Sequence, residues 1–167
     1  MFDLYTGIDV DVNNLQKVRV TEKELKKFHV KIGDIFFDRS SLVVEGIGHS
    51  NIILKKSEPV VFECHVMKLS PKEIIIPEFL LYFTKSTLFR NYIMSIAKVA
   101  TMTTISQPDL ETAKILIPPQ SEQKQITSIL SNIDTQIQKE KIHKSNLERL
   151  KKGLMQKLLT GQIRVKV

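Results

Sequence analysis

A proline-free segment of about forty residues near the C-terminal end most constrains what this chain can fold into. Two consecutive prolines beginning at Pro118 block a helix arriving from the N-terminal side, and Ser121 is placed to cap a new one. Gly161 can adopt the left-handed backbone conformation that commonly ends a helix. The pattern predicts one helix over residues 118–161, roughly 60 Å long at 1.5 Å per residue. A helix of this length needs a packing partner, because isolated helices are marginally stable in water.

Apolar residues recur along this segment at alternating steps of four and three. The seven positions are Ile126, Leu130, Ile133, Ile137, Leu147, Leu154 and Leu158. This is the spacing of a coiled-coil seam. Glu140 and Lys144 occupy the seam between the two groups, so the predicted contact is apolar at both ends and polar in the middle. Two interpretations stay open: an amphipathic helix lying on its own domain, or a spacer that pairs with a second helix.

Two signatures at the ends of the helix resemble those of a known family. The first is Ile117-Pro118-Pro119 followed by Glu122-Gln123 and Ile126, and the second runs from Leu150 to Gly161, followed by Arg164-Val165. At this separation they resemble the spacer helix of the DNA specificity subunits of type I restriction-modification systems. Members of that family usually carry two target-recognition domains, each followed by such a helix, and the helices pack antiparallel to hold the domains apart on DNA. This chain is similar to half of such a subunit.

The resemblance implies an α+β fold, in which a small mixed-sheet target-recognition domain is followed by a long C-terminal coiled-coil helix. The expected divisions are residues 1–117 for the DNA-binding recognition domain, residues 118–161 for the spacer and dimerisation helix, and residues 162–167 for a basic tail. Recognition domains of the family usually have a longer leader than this chain shows. The comparison leaves open a domain truncated at its N-terminus.

The net charge of +7 is unevenly distributed along the chain. Residues 119–167 hold ten Lys and Arg against four Asp and Glu, a balance of +6, which leaves fifteen against fourteen, or +1, for residues 1–118. A nearly neutral domain must contact DNA through a local basic or polar patch, whereas the cationic helix could face phosphates. A solvated basic helix face is the alternative.

Features typical of exported and membrane proteins are missing from the sequence. No apolar run reaches the eighteen or so residues that a membrane span needs, and Met1-Phe2-Asp3 does not begin a signal peptide. Cys64 is the single cysteine, which excludes an internal disulfide and fits a reducing compartment. The expectation is a cytoplasmic protein without membrane contact.

The first candidate DNA contacts follow a predicted buried strand. A Gly33-Asp34 turn leads into the apolar residues 35–37, and Arg39, Ser40 and Ser41 follow after Asp38. DNA-reading side chains are often held in loops at the ends of rigid strands, and Arg is the commonest specific partner of guanine. A plain polar loop is the alternative interpretation.

A second candidate cluster comprises four polar residues: Lys98, Thr101, Thr103 and Thr104. In the family this polar stretch lies near the DNA, and threonine hydroxyls can donate to phosphates or base edges. A routine polar connection would have the same composition.

Other local patterns predict the remaining elements. Thr21 with Glu24 has capping-box spacing for a short helix through about Lys27. Helices are also predicted from Pro77 and after Ser86, with their aromatic residues in the core, and Ser106 is expected to cap a short turn. The predicted strands are a short one around Val18 and Val20 and others at residues 51–56, 60–67 and 113–117.

Catalytic signatures are not found in the sequence. It holds no N/D-P-P-Y/F methyltransfer motif, no Walker glycine loop and no assignable Ser/His/Asp pattern. Cys64 beside His65 lacks a second pair at metal-ligand spacing, so no metal is expected. A non-catalytic protein without a cofactor is predicted.

The resemblance also implies partners. Methylation, which uses S-adenosylmethionine, and ATP-driven cleavage would belong to methyltransferase (M) subunits and, recruited through them, restriction (R) subunits. This chain would bind double-stranded DNA and pair with a second copy or another half-subunit. The alternative is an adaptor or decoy that does not bind DNA and competes through its helix for methyltransferase assembly.

Overall fold

The computed structural model describes residues 9–166, which fall into two compact units. The first unit ends at Thr127 and contains both sheets, the short helices and the start of the long helix. The second begins at Ser128 and contains the rest of that helix. The α+β class is confirmed. Residues 1–8, the start of the expected recognition domain, lie outside the described residues, and the predicted division at 117/118 stays a prediction.

Eleven helices and strands follow one another within residues 9–166, besides short 3₁₀ turns at Val12–Asn14 and Val44–Gly46. In chain order they are α1 (Glu22–Phe28), β1 (Ile35–Asp38), β2 (Ser40–Ser41), β3 (Ser50–Ile52), β4 (Val66–Leu69), α2 (Pro77–Lys85), α3 (Thr87–Ile96), β5 (Lys98–Val99), β6 (Thr103–Thr104), α4 (Gln107–Glu111) and α5 (Gln120–Leu159).

The central strand of the first sheet is β1, in the antiparallel order β3-β1-β4. Phe36 pairs with Asn51 of β3 on one side and Lys68 of β4 on the other. Successive side chains of a strand point to opposite faces, and both faces of β1 are buried. Phe36 packs in a small cluster with Val10, Val30 and Ile53. Ile35 and Phe37 join the main core, whose other buried members are Ile47, Ile52, Met67, Leu80, Leu81, Phe89, Ile93 and Ile105.

Two helices cover the main core. Pro77 occupies the first turn of α2, where its missing N–H costs no helical hydrogen bond. The hydroxyl of Ser86 accepts a hydrogen bond from the N–H of Phe89 at 3.3 Å and caps α3. Phe79 and Phe89 are buried, so the prediction that these helices place aromatic residues in the core is confirmed. The capping box of Thr21 and α4's cap were also predicted correctly.

Two predicted strands are wrong. Val18 and Val20 are 61% and 41% exposed and form no β-strand. Their side chains are not buried against the domain, so no packing stabilises a strand there. Residues 113–117 form no strand and pair with none, and Leu116 is 89% exposed. This segment connects α4 to α5 without adding to either sheet.

Two further strands were predicted in the correct region with wrong bounds. The strand expected over residues 60–67 begins only at Val66, because a turn intervenes in which the N–H of Val66 donates to the carbonyl of Glu63 at 3.3 Å. The strand expected over residues 51–56 ends at Ile52, since its partner β1 extends no further.

The long helix is confirmed, and its first turn differs from the prediction. Helix α5 begins at Gln120, so Ser121 is the second helical residue and not the cap. The carbonyl of Pro119 accepts from the N–H of Gln123 at 3.1 Å and starts the helical pattern. Gly161 has φ +74°, the left-handed stop that the sequence predicted. None of the helices within residues 9–166 combines the length and apolar character of a membrane span.

Candidate nucleic-acid interface

The two polar clusters predicted from the sequence meet in one small antiparallel sheet of order β2-β6-β5. Ser40 pairs with Thr104, and Ser41 pairs with Thr103. Thr104 also pairs with Lys98 of β5. Residues from two distant parts of the chain therefore form one surface.

One face of this sheet lines an open groove of about 500 Å³. Directly paired residues of adjacent antiparallel strands share a face, so Ser40, Thr104 and Lys98 stand side by side. Arg39 completes the predicted part of the lining. The remaining lining residues are Cys64, His65, Ile105, Ser106 and Asp109.

Arg39 is fixed in the groove through its backbone and its side chain. Its N–H donates to the carbonyl of His65 at 3.2 Å, and its own carbonyl accepts from the N–H of Ile105 at 3.1 Å. The guanidinium Nη1 donates to the carbonyl of Cys64 at 3.1 Å. Arg39 is nonetheless exposed, and a guanidinium carries five N–H donors. The side chain is thus positioned with donors left for a ligand.

Asp109 balances part of the positive charge in the groove. The Nζ of Lys98 lies 3.7 Å from Oδ2 of Asp109, and this carboxyl also accepts from the hydroxyl and the N–H of Ser106 at 2.6 and 2.8 Å. The Ser106 hydroxyl, followed by its N–H, holds the pKa of Asp109 below its ordinary value, and Lys98 adds to the effect. With Asp109 ionised, Arg39 and Lys98 leave the groove one positive charge in excess.

Three of the predicted contact residues lie away from the groove. Thr103 is buried, and Ser41 lies beside Gly46, where an added Cβ would be 2.1 Å from the Ser41 hydroxyl. Ser41 also accepts a hydrogen bond from the N–H of Val43 at 3.2 Å. Thr101 is exposed in the turn between β5 and β6. Ser41 and Thr103 therefore support the sheet, whereas Thr101 stands at the tip of the hairpin.

The turn before β4 contributes groove residues that the sequence analysis missed. Glu63, Cys64 and His65 each place one possible metal-ligand atom within 4.8 Å of the others, and all three are exposed. Of these three residues, only Cys64 and His65 stood out in the sequence as possible metal ligands. Within residues 9–166 no fourth such side chain joins the group. Their spacing in sequence gave no signal that this turn would lie against Arg39.

The seven predicted seam residues all lie on α5. Ile126 is half-buried within the first unit, and the other six are between 37% and 51% exposed. In the second unit Leu147, Leu154 and Leu158 lie on an open apolar surface that borders a volume of about 360 Å³. Its other lining residues are Leu150, Lys151, Met155 and Leu159. This surface is wider than the predicted seam.

Known proteins are similar to this chain over most of its length. A family model described as the type I restriction modification DNA specificity domain matches residues 3–149. A protein of Methanocaldococcus jannaschii, named provisionally as the type I restriction enzyme MjaX specificity subunit, is 34% identical over 154 residues, which cover 90% of this chain and 36% of that protein. The EcoKI specificity subunit of Escherichia coli is 26% identical over 166 residues, which cover 95% of this chain and 36% of the relative. The chain spans about a third of these relatives.

Proposed function

Because this chain belongs to the type I restriction-modification DNA specificity family, we propose that it recognises DNA sequence for such a system. Its recognition domain reads one half of a two-part site in double-stranded DNA. Its long helix pairs with a second copy or another half-subunit, which supplies the other half. The assembly recruits methyltransferase subunits and, through them, restriction subunits.

The observation that carries the DNA-binding proposal is the pairing of β2 with β6. Together with the pairing of β6 and β5, it brings Arg39, Lys98 and the hydroxyl groups of Ser40 and Thr104 to one groove, although the domain as a whole is nearly neutral. Cations supply the phosphate attraction, and positioned arginine and hydroxyl groups supply hydrogen bonds to base edges. A local patch of this kind is what a neutral DNA-binding domain requires.

The exposed apolar face of α5 supports the helix-pairing proposal, and the charges of the helix favour one orientation. Residues 120–138 carry one Lys against two Asp and Glu, a balance of −1, whereas residues 139–159 carry seven Lys and Arg against two Glu, a balance of +5. A parallel pair would place the two +5 halves against each other, and an antiparallel pair places +5 against −1. Two copies therefore pair antiparallel.

No catalytic step is assigned to this chain. Methylation and ATP-driven cleavage belong to the partner subunits, and the chain supplies recognition alone. The DNA and the partner subunits lie in the cytoplasm, which is the proposed location.

Duplex-DNA binding at increasing salt tests the proposal against the decoy alternative. The full chain is expected to bind random-sequence duplex weakly, to bind a selected sequence more tightly, and to lose affinity steeply between about 50 and 200 mM salt. The double variant Arg39→Ala, Lys98→Ala should lose most of this binding. The matched control Arg19→Ala, Lys23→Ala removes the same charges from exposed positions outside the groove and should bind nearly as wild type. Assembly with methyltransferase subunits without salt-sensitive DNA binding would instead support the decoy.

A further inference from the structure

Three apolar side chains are exposed at one end of the β2-β6-β5 sheet. Leu42 directly follows β2 and is 82% exposed, Val99 ends β5 and is 66% exposed, and Met102 directly precedes β6 and is 40% exposed. Leu42 and Met102 lie next to the paired residues Ser41 and Thr103, and Val99 pairs with Thr103 on its other side. We call Leu42, Val99 and Met102 the apolar tip.

The apolar tip belongs to the same sheet as the polar groove. A single exposed leucine is ordinary on a protein surface, but the register that pairs Ser41 with Thr103 continues to Leu42 opposite Met102, and neighbouring exposed apolar side chains often mark contact sites. The chain from Ser40 in the groove to Leu42 spans two residues, so the two Cα atoms are no more than about 7 Å apart. That distance corresponds to about two base pairs at 3.4 Å each.

The chemistry of DNA identifies what such a tip can contact. The major groove is wide enough to admit a two-stranded β-ribbon, and the base edges there present hydrogen-bonding atoms and one apolar group, the C5 methyl of thymine. A leucine facing donors and acceptors would deprive them of water without replacing their hydrogen bonds. Against a thymine methyl the same leucine removes apolar surface from water.

We propose that Leu42, supported by Met102, contacts the C5 methyl of a thymine within about two base pairs of the bases that face the Arg39 groove. The inference rests on the proposed DNA-binding function and adds a residue that determines specificity. Polar side chains of the groove read hydrogen-bonding edges, and the apolar tip selects an A·T pair beside them.

Selection from two random duplex libraries tests this contact with the wild-type chain alone. One library contains thymine, and the other contains deoxyuridine in its place, which differs only by the missing C5 methyl group. The full chain should enrich a site with a required thymine from the first library and lose the preference at that position in the second. In a single selected duplex, replacing that thymine by deoxyuridine should weaken binding about threefold to fivefold, the factor expected for burial of one methyl-sized group.

The variant Leu42→Ser connects the effect to the side chain. It should bind the thymine and deoxyuridine forms of the site equally. Its preference at the base positions that face the Arg39 groove should stay unchanged. Leu88→Ser is the matched control, since Leu88 is 73% exposed on α3, outside the sheet, and this variant should retain the thymine preference. Both leucines are exposed, so neither change should lower the unfolding temperature appreciably.

Other results overturn the inference in distinguishable ways. If wild type selects the same site from both libraries, or if Leu42→Ser keeps the thymine preference, the tip does not read a methyl group, and the proposed DNA-binding function stands. If Leu42→Ser binds DNA unchanged but fails to bind methyltransferase subunits, the tip is a protein contact. If wild type shows no salt-sensitive duplex binding at all, the proposed function and this inference fail together.

Discussion

The side-chain Oε1 of Gln123 accepts a hydrogen bond of 2.8 Å from the backbone N–H of Ile76, the residue immediately before α2. The Nε2 of the same carboxamide donates to the carbonyls of Ile74 and Pro118 at 3.1 and 2.8 Å. Gln123 is fully buried. One glutamine therefore satisfies three backbone groups and fixes the first turn of α5 to the segment that leads into α2.

Replacing Gln123 should weaken the folded recognition domain. In Gln123→Leu an N–H and two carbonyls lose their partner in a buried setting, so the free energy of unfolding is expected to fall by about 2–3 kcal/mol. Urea denaturation measures it. Gln125→Leu, an exposed position on the same helix, is the matched control and should change stability little. Equal stability of the two variants would show that the hydrogen bonds contribute no net stability.

Charge placed in the seam should separate a dimer into monomers. Ile133→Asp with Ile137→Asp puts two carboxylates at positions that a pairing helix would bury, and a buried unpaired charge is strongly unfavourable. Multi-angle light scattering should report the monomer mass. Asn132→Asp with Gln138→Asp adds the same charges at exposed positions off the seam and should leave the dimer intact. An unchanged mass in the seam variant would contradict pairing through this face.

The two groove cations should have different effects on DNA selectivity. Arg39→Ala is expected to lose discrimination at one base position. For a bidentate contact, the difference in binding free energy between the right and the wrong base should fall by roughly 1–3 kcal/mol. Lys98→Ala should weaken all sequences alike, because a phosphate contact carries no base information. Binding measured against a panel of single-base variants of a selected site separates the two effects. Binding profiles that match wild type for both variants would exclude these side chains from the interface.

The carboxyl of Asp109 should titrate below the range of an ordinary aspartate. Its bonds with Ser106 favour the ionised form, so they stabilise the fold above the unfolded pKa, and this contribution is lost as the pH falls through the lower folded pKa. Carbon-detected NMR should follow the titration. Ser106→Ala should raise the pKa toward its ordinary value, whereas Ser57→Ala, an exposed serine outside the groove, should not. An identical midpoint in wild type and Ser106→Ala would refute the assignment.

The helices whose ends are set by a proline, a glycine or a capping side chain could be predicted from the sequence. The prolines before α5 and Gly161 after it bound the helix, and Ser86 and Thr21 cap theirs as expected. These effects act within one turn of the helix end, so a single sequence is enough to find them.

The tertiary arrangement of the site left no such signal. Strands β2 and β6 are two residues long, and neither shows a period that would identify it as a strand. Their pairing is fixed by the surrounding fold, so the sequence supplied the residues of the groove without showing that they would meet. Gln123 is similar: it lies three residues before Ile126, in the register of the seam, but a polar side chain there gave no signal that it would be fully buried. Only packing made it the buried residue.

The gap between the two halves of the DNA site tests the central claim most directly. If antiparallel helices set the distance between recognition domains, inserting one heptad between Glu140 and Lys144 keeps the seam in phase and lengthens each helix by about 10 Å. Selection from random duplexes, with methyltransferase subunits present, should then give a gap longer by about one to three base pairs, with the bases of each half unchanged. A folded, dimeric insertion variant that selects the original gap would contradict the spacer role and leave the helix as a docking surface for the methyltransferase.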